Sequence, residues 1–335
     1  MKRLYKIIVI TLVICLCFSS AALGETKKNN TIIRLAGTDR YDTAIAAAEH
    51  LKEKRFIDSF DKIVLASGID FPDALSASFL AYKNDAPILL VGKDAVSIEK
   101  VTSYINQNLS PGGQVYIIGG NGAVIPEVES AINGKVKRLA GSNRYLTNIK
   151  VLEEVGLNGD ELLVVSGTNF ADALSASAIR KPIFLVGNSL TEDQKAFLKE
   201  NQNKIGVFFF VIGGYGAVSG SVSYAIRDCL PSHSFERIDG TNRFHTSLAV
   251  AMFFFGDKVE NVVVASGLNF PDGLSGGPIA VLYDAPILLE AYYNEGYAGH
   301  YFHTHGSNKL IVMGGRGAIP KEVAEYIANP AVEEE

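Results

Sequence analysis

The chain has 335 residues, of which 47% are hydrophobic and 20% charged, a composition typical of folded globular domains rather than of disordered or fibrous chains. At about 100–200 residues per domain, this length predicts two or three domains. The 31 Lys and Arg residues against 36 Asp and Glu give a formal net charge of −5, which lacks the basic excess expected of a nucleic-acid-binding protein.

The first 24 residues have the pattern of a secretory signal peptide. Three basic residues precede an apolar run over residues 7–18, and Ala22-Leu23-Gly24 offers small residues for cleavage. The run is too short to span a bilayer, and no later segment approaches the required length, so we expect no membrane span in the mature form. Because the segment carries three basic residues and no acidic one, its removal would leave a net charge of −8. Cys229 would then be the only cysteine, which excludes an intramolecular disulfide.

The next hundred residues alternate between short apolar runs and longer amphipathic stretches, a pattern that indicates strands separated by helices. Pro72 and Asp73 suit the first turn of a helix, where a missing N–H costs nothing and a carboxylate favours the dipole. This order predicts an α/β fold with a largely parallel sheet. The predicted strands cover residues 63–66, 87–91, 114–118 and 136–140, and the predicted helices cover residues 74–83, 97–109 and 126–132.

The same elements occur three times, because four sequence blocks return in the same order. RLAGTDRYDT at 34–43 returns as RLAGSNRYLT at 138–147 and RIDGTNRFHT at 237–246, in steps of 104 and 99 residues. The other blocks are SGIDFPDALSA (67–77), PILLVG (87–92) and IGGNGAV (118–124), with counterparts in both later copies. A period near 100 residues is too long for a solenoid unit, so we expect three modules, each with its own core. We place them at residues 32–135, 136–234 and 235–328 and call them repeats 1, 2 and 3.

The four blocks in triplicate resemble the cell-wall-binding repeat 2 family of Gram-positive, especially clostridial, surface proteins. The resemblance covers roughly residues 32–328. It implies three tandem Rossmann-like or Toprim-like modules with largely parallel sheets about a pseudo-threefold axis. It further implies noncovalent attachment to an anionic, teichoic-acid-like polysaccharide of the cell wall. We therefore expect an exported, noncatalytic protein of the cell wall or cell surface, without a cofactor.

The family's Pro-Ile-Leu-Leu motif supplies one set of candidate polymer-binding residues. Phe184 replaces one leucine in repeat 2, and Glu290 replaces the valine that follows the motif in repeat 3. Either change could weaken one site, and the segments are apolar enough to be core strands first. The candidates are Pro87, Ile88, Leu89 and Leu90; Pro182, Ile183 and Leu185; and Pro286, Ile287, Leu288 and Leu289.

A second set of candidates is Arg40, Arg144 and Arg243, each of which follows a Gly-Thr/Ser-Asp/Asn turn. A guanidinium there could bind phosphate or carboxylate with two parallel hydrogen bonds, or it could pair with an aspartate of the protein. The Gly-Gly turns at 119–120, 213–214 and 314–315 could present backbone N–H groups to an anion. Three modest sites on one repetitive polymer would gain affinity through effective concentration.

Several other patterns favour structural roles. Asp73, Asp172 and Asp272 are predicted to be residues of helix first turns rather than acids or bases. Gly273-Leu274-Ser275-Gly276-Gly277 matches the G-x-S-x-G nucleophile elbow, but its counterparts in the other repeats predict a serine inside a helix.

The histidines of repeat 3, at 300, 303 and 305, have spacings that fit no metal-binding face, and we predict no metal. An aromatic-rich surface segment that contacts sugars or a partner, or an ordinary loop, accounts for them. The Gly-Gly-x-Gly turns lack the remaining features of a nucleotide-binding loop.

Two functions of other classes compete with the wall anchor. One is a wall-degrading amidase of the N-acetylmuramoyl-L-alanine type, for which only the histidine segment could supply a zinc ligand set. The other is a structural protein of a surface layer, with lateral contacts to surface-layer proteins through repeat 3. We expect no nucleic acid among the partners.

Overall fold

Residues 30–293 and 295–329 are described by the structure, a computed structural model, and the predicted signal peptide lies outside them. No helix of this described part is long and apolar enough to cross a membrane. The strands are β1 (Thr31–Leu35), β2 (Phe60–Ser67), β3 (Ile88–Val91), β4 (Leu109–Ile118), β5 (Lys135–Leu139), β6 (Asp160–Ser166), β7 (Ile183–Val186), β8 (Ile205–Ile212), β9 (Ser234–Ile238), β10 (Asn261–Ser266), β11 (Ile287–Glu290) and β12 (Lys309–Met313).

Helices alternate with these strands along the chain. They are α1 (Arg40–Arg55), α2 (Ala77–Lys83), α3 (Ala95–Asn108), α4 (Pro126–Ser130), α5 (Arg144–Val155), α6 (Ala171–Ala176), α7 (Glu192–Asn201), α8 (Gly220–Cys229), α9 (Arg243–Phe254), α10 (Pro271–Tyr283), α11 (Tyr297–Thr304) and α12 (Lys321–Ala328). Short 3₁₀ segments cover Ala74–Ser76 and Gln202–Lys204.

The strands form three four-stranded sheets, in the orders β3-β2-β4-β5, β7-β6-β8-β9 and β11-β10-β12-β1. Every neighbouring pair is parallel, so the carboxyl ends of the four strands lie at one edge of each sheet. The predicted α/β class with three largely parallel sheets is confirmed.

The elements predicted for repeat 1 are all present, and the differences lie at their ends. The strand predicted at residues 63–66 is β2, which begins earlier, at Phe60, and its register against β4 shifts between Phe60 and Lys62. The predicted helix over 74–83 begins as a 3₁₀ turn and becomes α-helical at Ala77. Asp172 and Asp272 lie in helix first turns as predicted, whereas Asp73 lies one residue before the 3₁₀ turn.

The strand that opens each repeat does not join the sheet of its own repeat. Strand β5 pairs with β4 of repeat 1, and β9 pairs with β8 of repeat 2. Strand β1, the first in the described chain, pairs with β12 of repeat 3, with Thr31 opposite Lys309. The sequence repeats and the sheets are therefore offset by one strand, and β1 closes the three units into a ring. The module boundaries at 135/136 and 234/235 stay a prediction about the units of the sequence.

The expectation of three separate cores is wrong, because one face of the sheets of repeats 2 and 3 packs into a core that all three repeats share. Alternation along β6 sends Leu162 and Val164 into a core belonging to repeat 2, while Leu163 and Val165 enter a core continuous with residues of the other two repeats. Strand β10 alternates in the same way between a repeat 3 core and the shared one. Helix α10 contacts both α2 and α6 across the repeats, and strands β3 and β11 each pack against a helix of a neighbouring repeat.

Candidate functional site

The block that opens each repeat folds into a glycine turn that caps a helix. The side chain of Asp39 accepts hydrogen bonds of 2.8 Å from the backbone N–H groups of Tyr41 and Asp42, which makes it the N-cap of α1. The backbone N–H of Gly37 donates to Thr43 Oγ1 at 3.3 Å. A Cβ on Gly37 would lie 2.0 Å from that of Asp42, so this close approach requires glycine.

The arginine after each cap holds the helix against the central strand of its own repeat. Nη1 of Arg40 donates to the Gly68 carbonyl at 2.5 Å, and Arg144 and Arg243 make the same bond to glycine carbonyls 2.5 and 2.6 Å away. All three side chains are half-buried. Since a guanidinium has five N–H donors, each arginine keeps donors beyond this contact.

Each of the three arginines lies close to an aspartate of the neighbouring repeat, in cyclic order; Asp172 is buried, and Asp73 and Asp272 are half-buried. Asp73 lies near Arg144 and bonds Thr147, Asp172 lies near Arg243, and Asp272 lies near Arg40 and bonds Thr43. Burial raises the pKa of all three carboxyls, and the neighbouring arginines offset part of this rise. For Asp172, which is 6% exposed, the pKa reaches about 6.

Three phenylalanines, one from each repeat, pack against one another. The ring centroids of Phe71, Phe170 and Phe270 lie 5.7, 5.8 and 6.2 Å apart. Arg144 lies 5.9 Å from the Phe71 ring, and Arg243 lies 5.5 Å from the Phe170 ring. Sequence reasoning missed this cluster, although a phenylalanine stands at the same place in all three blocks.

A second arginine in each repeat was also missed, despite its place in the repeated block. Arg138 donates to the carbonyls of Gly119 and Val124 at 2.9 and 3.0 Å and forms an ion pair with Glu129. Arg34 and Arg237 donate to the corresponding glycines, at 2.8 and 2.5 Å. These arginines fix the Gly-Gly turns at the carboxyl end of each sheet.

The Gly-Gly turns differ in one respect from the predicted anion-binding loop. The N–H groups of Gly119, Gly213 and Gly314 donate to strand carbonyls at 2.8–2.9 Å, so the first glycine of each pair is not free for a ligand. Each has a positive φ near 100°, and a Cβ there would lie within 2.8 Å of an aspartate Oδ2. The anion-accepting part of the turn is therefore limited to the next residues, such as Gly120 and Gly122, whose N–H groups have no partner among the described residues.

Two clefts lie where one repeat meets the next. A cavity of about 380 Å³ lies between repeats 1 and 2, and a second of about 250 Å³ lies between repeats 3 and 1. Each combines an arginine at a helix N-terminus, a glycine turn and a half-buried aspartate of the preceding repeat. The first is lined by Asp70, Pro72, Asp73, Gly120, Gly122, Ala123, Gly141, Ser142, Asn143 and Arg144, and the second by Gly37, Thr38, Asp39, Arg40, Thr43, Asn269, Pro271, Asp272, Gly315, Gly317 and Ala318.

The Pro-Ile-Leu-Leu segments are buried in the sheets. Their isoleucine and leucine side chains are at most 2% exposed and form strands β3, β7 and β11, each preceded by a buried proline. A role in polymer binding stays a prediction for these residues, and it would act through the position of the loops that follow the strands. They are Pro87, Ile88, Leu89, Leu90, Pro182, Ile183, Leu185, Pro286, Ile287, Leu288 and Leu289.

Repeat 3 departs from the others at the end of this strand. Glu290 is fully buried, and its Oε2 accepts hydrogen bonds from the backbone N–H groups of Ala291 and Glu295 at 3.4 and 3.0 Å. Burial raises its pKa. Its carboxylate lies close to the N-terminus of α11, the helix that carries the histidine segment.

The serine and histidine motifs have ordinary surroundings. Ser275 lies inside α10, as the repeat comparison predicts, and donates to the Asp272 carbonyl at 3.1 Å. His300 and His303 are exposed on α11, while His305 stacks on Tyr301 with centroids 3.9 Å apart. Within the described ranges, no three His, Cys, Asp or Glu residues are grouped so as to hold a metal ion.

Comparisons with known proteins agree on one family. The family model described as "Cell wall binding domain 2" matches residues 34–129, 138–223 and 237–324. Among sequence relatives, the chain is 26% identical to the N-acetylmuramoyl-L-alanine amidase LytC of Bacillus subtilis (strain 168), over all of this chain and 64% of that protein. It is 29% identical to the "Amidase enhancer" of the same organism, over 76% of this chain and 34% of that protein. The chain thus spans less than two thirds of the length of either relative.

Two solved structures share the fold. Cwp6 from Clostridium difficile matches with a TM-score of 0.78 and 25% identity, over 90% of this chain and 48% of that chain. Cwp8 from the same organism matches with a TM-score of 0.76 and 26% identity, over 90% of this chain and 52% of that chain.

Proposed function

The chain belongs to the cell wall binding domain 2 family, and from this premise we propose that it is an exported, noncatalytic protein that holds an anionic wall polysaccharide in the clefts between its repeats. Binding to the cell wall follows from the family. The anionic, teichoic-acid-like character of the polymer, the clefts as its site, the export and the absence of catalysis are the proposed part.

The observation that carries the proposal is the set of unused donors in the clefts. Arg144 donates one N–H to the Gly167 carbonyl and keeps its other donors. The N–H groups of Gly120 and Gly122 have no partner among the described residues. The N-terminus of α5 adds a positive dipole end at the same place. Oriented N–H groups and a guanidinium are the groups with which proteins bind phosphate and carboxylate.

The ring supports binding to a repetitive polymer. The arginine and the glycine turn recur at all three junctions, at the carboxyl ends of the sheets. Several weak sites on one rigid body bind one chain with an effective concentration that strengthens the whole by about 10²–10⁴-fold. Such binding tolerates the negative net charge of the protein, because the attraction is local and acts within a Debye length.

A charge introduced into the clefts tests the proposal. Gly122 and Gly317 line the two clefts, and a Cβ on either meets no atom within 4 Å, so side chains fit there. We expect the double variant Gly122→Glu/Gly317→Glu to lose retention on purified walls, because each carboxylate repels an anionic polymer. The Gly122→Gln/Gly317→Gln variant has nearly the same shape without the charge and should retain more.

Sedimentation with walls, before and after removal of their anionic polymers, provides the measurement. Wild-type retention should fall on stripped walls and at high salt. Equal retention of the Glu and Gln variants would refute the clefts as the site, and undiminished retention on stripped walls would refute the polymer class.

Catalysis is tested separately, since LytC is an amidase by name. We expect no clearing of murein in zymography with this chain, and a clear band would establish the competing amidase function. Lateral contacts to surface-layer proteins through repeat 3 would appear as ordered arrays that depend on that repeat.

A further inference from the structure

A third cavity lies away from the clefts, between repeats 2 and 3. Its volume is about 480 Å³, larger than that of either cleft, and it shares no lining residue with them. It lies next to the amino end of β10, whereas the clefts lie at the carboxyl ends of the strands. It is lined by Ala178, Ile179, Arg180, Phe254, Phe255, Gly256, Lys258, Val259, Glu260, Asn261, Tyr283 and Asp284.

A deletion of one helical turn in repeat 2 accounts for the space. Eleven positions separate Ser76 from Pro87, and Ser275 from Pro286, but only seven separate the corresponding Ser175 from Pro182. Helix α6 accordingly ends at Ala176, whereas its counterparts α2 and α10 continue to Lys83 and Tyr283.

The additional turn contacts the following repeat where it is present. In repeat 1, Lys83 pairs with Asp160 of repeat 2 at 3.6 Å. In repeat 3, the Tyr283 hydroxyl bonds His50 Nε2 of repeat 1 at 2.7 Å. Repeat 2 has no such turn, so the corresponding space beside repeat 3 stays open.

The junction around this space is nevertheless held firmly. Arg180, with a left-handed φ of 61°, forms an ion pair with Asp284 at 2.9 Å and donates to the Val281 carbonyl at 2.8 Å. The ring of Tyr283 lies between His50, whose centroid is 5.8 Å away, and the Lys309 ammonium at 5.2 Å. These contacts join repeat 2 to repeat 3 and repeat 3 to repeat 1 beside the cavity.

The lining joins an apolar surface to unused polar groups. Ala178, Ile179 and Phe255 supply apolar surface, with Phe255 half-buried. Lys258 and Glu260 are exposed at the cavity, and neither side chain forms an ion pair in the described ranges. Charged groups exposed in this way can hydrogen-bond a polar ligand that enters the cavity.

We propose that this cavity is a saccharide subsite that takes one pyranose residue. A pyranose has an apolar C–H face that fits against an aromatic ring and hydroxyl groups at its edge, which matches a lining in which aromatic and aliphatic side chains stand beside charged ones. The sugar hydroxyls accept from the Lys258 ammonium and donate to the Glu260 carboxylate. The volume lies within the range of about 300–1,000 Å³ typical of small-molecule sites. The inference rests on the proposed function only for the source of the sugar, a residue of a wall glycan.

A titration of the mature chain with N-acetylglucosamine, and a second one with glucose, test the subsite. Saturation-transfer NMR measures the binding of each sugar. A Cβ on Gly256 meets nothing within 4 Å, so Gly256→Trp places an indole in the cavity without a clash at Cβ. Asp257→Trp is the matched control, because Asp257 is exposed and does not line the cavity. We expect saturable binding of at least one sugar by the wild type and the control, and a loss of at least about tenfold in Gly256→Trp.

A second variant tests the hydrogen bonds. Lys258→Ala/Glu260→Ala should weaken binding of the same sugar about tenfold, with the melting temperature recorded to show that the chain is folded. The subsite is refuted if the wild type binds neither sugar, or if Gly256→Trp binds as well as the control. Wall retention separates this outcome from the proposed function: Gly256→Trp leaves the clefts intact, so failure of the subsite alone leaves charge-dependent retention in place.

Discussion

Replacing Asp172 by asparagine should remove a defined part of the pH dependence of stability. Asp172 is 6% exposed and lies near Arg243 of the next repeat, and burial raises its pKa to about 6. A carboxyl whose pKa is raised on folding binds its proton more tightly in the folded state. Its contribution to stability is therefore complete below the pKa of the unfolded chain and is lost as the pH rises through the folded pKa.

The difference between a pKa of about 6 and the ordinary value of 3.8 corresponds to about 3 kcal/mol over the whole titration. Between pH 7.5 and pH 4.5 the unfolded carboxyl is still largely ionised, so about 2 kcal/mol of this amount is expressed. The free energy of unfolding of the wild type, relative to that of Asp172→Asn, should rise by this amount as the pH falls across the interval.

Urea unfolding of both proteins at several pH values measures the effect, with Asp70→Asn as a control. Asp70 is exposed on the corresponding loop of repeat 1, so its replacement changes the charge count without changing a buried carboxyl. Parallel curves of unfolding free energy against pH for the wild type and Asp172→Asn, between pH 4.5 and 7.5, would show that burial does not raise the pKa of Asp172.

Two further substitutions test the centre of the ring and the helix caps. Phe270→Ala should lower the free energy of unfolding by about 3 kcal/mol, because it removes a ring that is 7% exposed and packs against two others. Phe208→Ala, at a residue 42% exposed, should cost clearly less. Equal losses in thermal unfolding would contradict a stabilising role for the cluster. Gly141→Ala should destabilise the chain, because the new Cβ would lie 2.3 Å from that of Leu146. Gly216→Ala places its Cβ in open space and should be nearly neutral. Equal melting temperatures of the two variants would show that the turn at Gly141 relaxes.

The fold of one repeat could be predicted because its signals are local. A buried parallel strand is a short apolar run, and the glycine and proline positions mark where strands end and helices begin. The serine of the G-x-S-x-G match could also be placed correctly, because two other copies of the block show the same residue without the flanking glycines. Repetition thus supplied a control within the sequence itself.

The relation between repeats could not be predicted in the same way. An apolar side chain such as Leu163 has the same pattern whether it packs on a helix of its own repeat or on a neighbour's helix. Nothing in the sequence of β5 says which of two sheets it extends. Likewise, an arginine after a glycine turn is compatible with a ligand, a carbonyl or an aspartate, and Arg144 meets the second and third of these in the structure.

The pairing of β1 with β12 affects how the chain must reach its final form. Thr31 and Lys309 are opposite each other, so the last sheet cannot be completed until nearly the whole chain has been synthesised. Contacts between residues so distant in sequence form slowly, because a long loop must close first. The assembly is also not extensible: a fourth copy would have to be inserted within the closed circle, whereas an open solenoid can grow at either end.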